Sequence, residues 1–153
     1  MAKGKKEKAI VKKHNIYVIE LDPIVLNDKK FSNENPDYKD GMKCFYVGMT
    51  GITPEERFEQ HKRGYKSSKY VKKFGIALRP RHYSHHNPMT YEEAQYMEEE
   101  KARRLRKRGY AVWQHWKISY FYYVDFKPST PRLDYVIVKL SLPNSDLYGR
   151  GIY

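Results

Sequence analysis

The stretch FYVGMTGITPEERFEQHKRG, residues 45–64, decides how this chain folds. Its aromatic and β-branched opening reads as a strand ending at Gly48, and residues 53–64 read as a helix with explicit start and stop signals. Thr53 is a good N-cap, Pro54 suits the first helical position, and Glu56 completes a Thr-x-x-Glu capping box. Gly64 falls where a left-handed C-cap belongs. On that helix Arg57 and His61 are four residues apart, so they project from one face. An exposed tyrosine at a strand end, facing an Arg/His pair, can hold a phosphodiester once a carboxylate joins it.

Working outward, residues 14–22 (HNIYVIELD) predict a first strand, stopped by Pro23. Residues 27–42 are polar and full of turn formers, so they read as a loop closing an antiparallel hairpin onto a second strand at 43–48. After the capped helix, 66–74 predicts a short helix stopped by Gly75, and 76–78 a short third strand. The segment RPRHYSHHNP, residues 79–88, lacks the spacing that places metal ligands on one element and reads as a basic loop near the ligand. Thr90 and Glu93 form a second capping box that opens the longest helix, running to about Arg108. Two aromatic, β-branched runs at 117–126 and 133–142 predict a C-terminal hairpin. The domains expected are a basic flexible arm over 1–13, a main folded domain over 14–116, and a hairpin extension and tail over 117–153.

Thirty Lys and Arg against 18 acids give a net charge of +12, which favours a polyanionic partner. No apolar run approaches transmembrane length, and the Lys-rich start lacks the apolar segment of a signal peptide, so no membrane partner is expected. The single cysteine, Cys44, excludes an internal disulfide and fits a reducing, cytoplasmic setting. Without a cysteine cluster no structural zinc site is expected.

The carboxylate comes from the long helix. Ala94, Met97, Ala102 and Leu105 mark its apolar stripe, and Glu98 lies midway between Ala94 and Ala102. Glu99 and Glu100 turn towards solvent, where the basic run after them can pair with them. An ionised carboxylate in an apolar seam costs several kcal/mol unless it neutralises or finds a cation. Arg57 is one available partner; a divalent metal arriving with a phosphate is the other.

Asn15-Ile16-Tyr17, then Tyr46-Val47-Gly48, then Arg57 with His61, then Glu98 in a late helix resemble the GIY-YIG nuclease superfamily in order and spacing. The resemblance spans roughly residues 14–115. It implies an α+β fold in which a small central antiparallel three-stranded sheet is flanked by helices, here with an added C-terminal β-hairpin. It also implies a metal-dependent endonuclease acting on DNA. Tyr17 would be general base or water-orienting group, and Tyr46 would bond the scissile phosphate or the water. Arg57 would stabilise phosphoryl charge, and His61 would serve as proton relay or phosphate contact. Glu98 would bind one Mg²⁺ or Mn²⁺ ion, which needs only one or two carboxylates. The first tripeptide reads NIY rather than GIY, and the Asn that usually comes after the family's last helix is replaced by a segment in which Gln114 or His115 stands nearest.

Nucleic-acid contacts are expected from Gly48, Lys62, Arg63, Lys66, Lys69, Lys72 and Lys73. Phosphate contacts from about six basic side chains would lower affinity about a thousandfold between about 50 and 200 mM salt. The chain would act as a monomer or homodimer. The alternative reading is a catalytically inactive module of the same fold that binds DNA or RNA.

Overall fold

The structure is a computed structural model and describes residues 11–114. The C-terminal hairpin expected over 117–153, His115 and nearly all of the basic arm lie outside those residues. β1 is Asn15–Leu21 and β2 is Cys44–Thr50. α1 (Lys29–Asn33), α2 (Pro54–Arg63), α3 (Lys69–Phe74) and α4 (Tyr91–Lys107) are the helices. β3 (Gly75–Leu78) and β4 (Ala111–Gln114) complete a four-stranded sheet of order β3-β1-β2-β4.

β1 pairs antiparallel with both β2 and β3, as the α+β reading expects. The sheet is nevertheless mixed and has four strands rather than three, because β4 adds to β2 in parallel. Residues 111–114 gave too short an apolar run, straight after a long helix, to be read as a strand. Both central strands are buried along almost their whole length, which requires cover on both faces. Tyr46 pairs with Trp113, and the Trp113 ring meets Phe31 of α1 and Tyr70 of α3. Phe45, pointing to the opposite face, meets His82 and Tyr110. The core therefore has two halves, one on each side of the sheet.

Both capping boxes form as their residues dictate, Thr53 with Glu56 and Thr90 with Glu93. Gly64 ends α2 in the left-handed conformation, with φ +84°.

Two loops carry more structure than their composition suggested. Residues 27–42 are not simply a polar loop, since Asp28 caps α1 through the Phe31 N–H and Phe31 is fully buried. Asn35 is buried there too; its Nδ2 donates to the Phe31 carbonyl and its Oδ1 accepts the Val112 N–H. One amide side chain thus ties this segment to β4.

The 79–88 segment covers a strand edge. β3 pairs with β1 only from Ile19 onward. Ahead of that point, Asn87 Oδ1 accepts the Ile16 N–H and Asn87 Nδ2 donates to the Ile16 carbonyl. His14 and Met89 bridge one step further along. An edge closed in this way presents no free ladder to another chain. Among the described residues, no helix is long and apolar enough to cross a membrane.

Candidate functional site

A cavity of about 430 Å³ gathers Tyr17, Tyr46, Arg57, His61 and Glu98, the five residues expected to carry chemistry. They come from four elements: β1, β2, α2 and α4. Met49, Ser67 and Ser68 also line it, and Lys66 reaches it from the turn after α2.

The arrangement begins in the β-ladder. Tyr17 stands opposite Gly48, and Tyr46 lies two residues along on the same face of β2. A Cβ at Gly48 would lie 2.7 Å from Tyr17 Oη and 2.9 Å from a Tyr46 ring carbon. Gly48 is buried, and its missing side chain makes room for the two phenols.

His61 is 1% exposed and bridges two elements. Its Nδ1 accepts the Ser68 N–H at 3.1 Å, so in a neutral ring the proton is on Nε2. Nε2 lies 2.8 Å from Tyr17 Oη, and the imidazole therefore donates to the phenol oxygen. It lines the cavity beside the two phenols, which are buried as it is. What it does is fix the direction of the Tyr17 hydroxyl.

Burial pushes the Tyr17 phenol up to about 12, against the pull of the neighbouring Arg57 charge and of a Tyr46 hydrogen bond. Burial also raises Tyr46 well above the ordinary phenol range, reinforced by Tyr17 and Glu98. Arg57 is braced by its surroundings. Nη1 donates to Gln60 Oε1 at 2.9 Å and to the Tyr65 carbonyl at 3.5 Å. Nη2 donates to the Lys66 carbonyl at 2.7 Å.

Glu98 is 2% exposed, on the apolar stripe where Ala94, Ala102 and Leu105 are buried as well. Glu100 departs from expectation. It is 5% exposed rather than solvated, and it holds Arg103 and Arg104 as ion-pair partners. Two basic side chains folded back over one carboxylate shield it from water.

The cavity contains a single carboxylate, and no group of three His, Cys, Asp or Glu able to hold a metal occurs among the described residues. That donor set suits a largely hydrated magnesium or manganese ion shared with substrate phosphate oxygens, with Glu98 as its protein ligand. It does not suit zinc.

No protein-family model, curated protein or solved structure matches this chain.

The other expected residues fall in different places. Gln114 is buried on β4, with Oε1 accepting from Arg106 Nη1. It pairs with Val47 rather than Tyr46, so it faces the other side of the sheet and does not line the cavity. His82, which packs on Phe45, lies on that same opposite face, and none of the histidines of 79–88 lines the cavity. Arg63, Lys66, Lys69, Lys72 and Lys73 are exposed or reach the surface near α2 and α3. Lys62 is occupied by Glu59 and Lys69 by Asp28, which leaves fewer uncommitted cations than the count of lysines suggested. Ser67 and Ser68 carry no sequence signal for the cavity, since they enter through a backbone turn rather than a motif.

Proposed function

We propose that this protein is a metal-dependent endonuclease of GIY-YIG type that hydrolyses phosphodiester bonds in DNA. The observation that carries the reading is the convergence of two phenols, a guanidinium, an imidazole and one buried carboxylate on a single cavity. Each group suits a separate need of in-line phosphoryl displacement. Arg57, already braced on two sides, offers its remaining N–H groups to the charge that builds on the phosphoryl oxygens. Tyr17 keeps its proton at neutral pH, and with its oxygen held by His61 it is set to orient the attacking water. Glu98 would hold the magnesium ion, whose charge would offset the carboxylate; beside it Tyr17 would give up its proton more readily and could act as general base. Tyr46, still more resistant to ionisation, serves as a donor to a phosphate oxygen or to the water.

The test is nicking of supercoiled plasmid with magnesium, manganese or EDTA, beside Glu98→Ala. Metal-dependent nicking that disappears in the variant supports the reading; nicking that survives Glu98→Ala assigns the metal to another carboxylate. A second reading, a non-catalytic module binding DNA or RNA, draws on one observation. Of the two residues standing nearest the family Asn, Gln114 is turned away and held by Arg106, and His115 lies outside the described residues. Plasmid binding without nicking under any metal would favour it, and paired deoxy and ribo substrates separate DNA from RNA.

A further inference from the structure

We propose that the Tyr65 ring is a stacking platform for an unpaired base beside the phosphate at Arg57, so that the substrate carries a single-stranded segment next to the scissile bond. The proposal rests on the nuclease reading and narrows its substrate. Tyr65 and Tyr91 are the exposed tyrosines among the described residues, Tyr65 at 57% and Tyr91 at 47%. Tyr91 is engaged, edge-on to the His14 ring and accepting from Gln95. Tyr65 instead turns its ring out to solvent with Lys66 Nζ 5.6 Å from its centroid.

Its backbone is anything but loose. Residues with positive φ stand on either side, Gly64 at +84° and Lys66 at +42°. The Tyr65 N–H donates to the Gln60 carbonyl, and its own carbonyl accepts from Arg57 Nη1. The ring is thereby tied to the guanidinium proposed to hold phosphate, at the rim of the cavity that Lys66 itself lines. Lys72 lies against Gly64, the residue before Tyr65, so the surroundings are cationic.

A flat aromatic ring set among cations beside a phosphate site matches the chemistry of single-stranded nucleic acid, in which every base offers a π-face whatever the sequence. Bases inside a duplex are already stacked on both sides and cannot take the ring. The ligand class is therefore a fork, flap, overhang or frayed end.

The experiment compares binding, in EDTA, of a forked oligonucleotide with 2-aminopurine in its unpaired arm and of the fully paired duplex of the same sequence. The proteins are wild type, Tyr65→Leu and Tyr65→Phe. Wild type is expected to favour the fork by about 5- to 100-fold, the range that one base–aromatic stack supplies, and to quench the 2-aminopurine. Tyr65→Phe keeps the preference and Tyr65→Leu brings it within about twofold. No preference in wild type, or an equal preference in Tyr65→Leu, overturns the platform. Cleavage is then scored separately in magnesium. A fork preference that depends on Tyr65, without cleavage, strikes the nuclease reading and leaves the platform standing. Cleavage with equal rates on fork and duplex strikes the platform and leaves the nuclease.

Discussion

Tyr17 and Gly48 stand directly opposite each other in the β1–β2 ladder, and the phenol of the first occupies the space that a side chain on the second would need. Gly48→Ala would put a methyl group 2.7 Å from Tyr17 Oη and 2.8 Å from Cζ. Both neighbours are buried aromatic atoms, not the free end of a flexible chain, so the overpacking should cost about 1–3 kcal/mol. The displaced phenol should also lose its bond to His61. The expected result is a lower urea midpoint and nicking reduced at least about tenfold, with plasmid binding within about twofold of wild type. Unchanged stability would show that the ladder accommodates the methyl group.

His61→Ala removes two hydrogen bonds at once. The Ser68 N–H loses its acceptor, and Tyr17 Oη loses one of its partners while Arg57 and Tyr46 remain beside it. Leaving the Ser68 N–H unsatisfied costs about 1–3 kcal/mol, which is the loss expected in urea unfolding. Free imidazole should restore some nicking, since the vacated volume is lined by the same two partners. A stability loss under about 0.5 kcal/mol would contradict the bridging geometry.

How much of this was legible in the sequence depends on what each signal rests on. The capped helices and the β1–β2 pairing rest on local rules, caps and apolar runs, and appear where the residues place them. The five cavity residues rest on the family resemblance, Tyr17 above all, since no local rule singles out one tyrosine within a strand. The 27–42 segment failed the local reading because its two structural residues, Phe31 and Asn35, act through partners far along the chain. Phe31 packs on Tyr70 and Trp113, and Asn35 bonds Val112. β4 was missed for the same reason, as its pairing is made by tertiary contact and not by propensity.

Asn35→Ala tests that long-range tie. It would leave the Val112 N–H without its acceptor inside the core, and about 1–3 kcal/mol of stability should be lost. Asn35 lies outside the cavity, so nicking and DNA affinity measured well below the midpoint should stay within about twofold. A variant that kept full stability would mean that water replaces the amide.

Stability should fall on the alkaline side. Burial pushes Tyr17 and Tyr83 to about 12 and Cys44 to about 11 in the folded protein. The native state therefore holds these protons to higher pH than the unfolded chain does. Their contribution is complete below the ordinary phenol and thiol values and is lost as pH rises through the raised ones. Urea midpoints should decline from about pH 9 to 12. Tyr83 Oη has no hydrogen-bond partner among the described residues, so Tyr83→Phe should match or exceed wild type at neutral pH and show a shallower alkaline decline. Equal slopes for the two proteins would remove Tyr83 from the account.

Lys66 combines a backbone role and a charge, and two substitutions separate them. Its φ of +42° suits glycine, and its carbonyl holds Arg57 Nη2 at 2.7 Å. Lys66→Gly keeps that carbonyl in place and removes the ammonium. Stability should stay within about 1 kcal/mol of wild type, while the salt slope of DNA binding falls by about 0.9, the share of one phosphate contact. Lys66→Val removes the same charge but forces a β-branched residue into the left-handed region, at a cost of about 1–3 kcal/mol. The turn should then relax, Arg57 should lose a brace, and nicking should drop further than in Lys66→Gly at equal DNA occupancy. If the two variants bind and cut alike, Gln60 and the Tyr65 carbonyl suffice to brace Arg57 and the Lys66 carbonyl is dispensable.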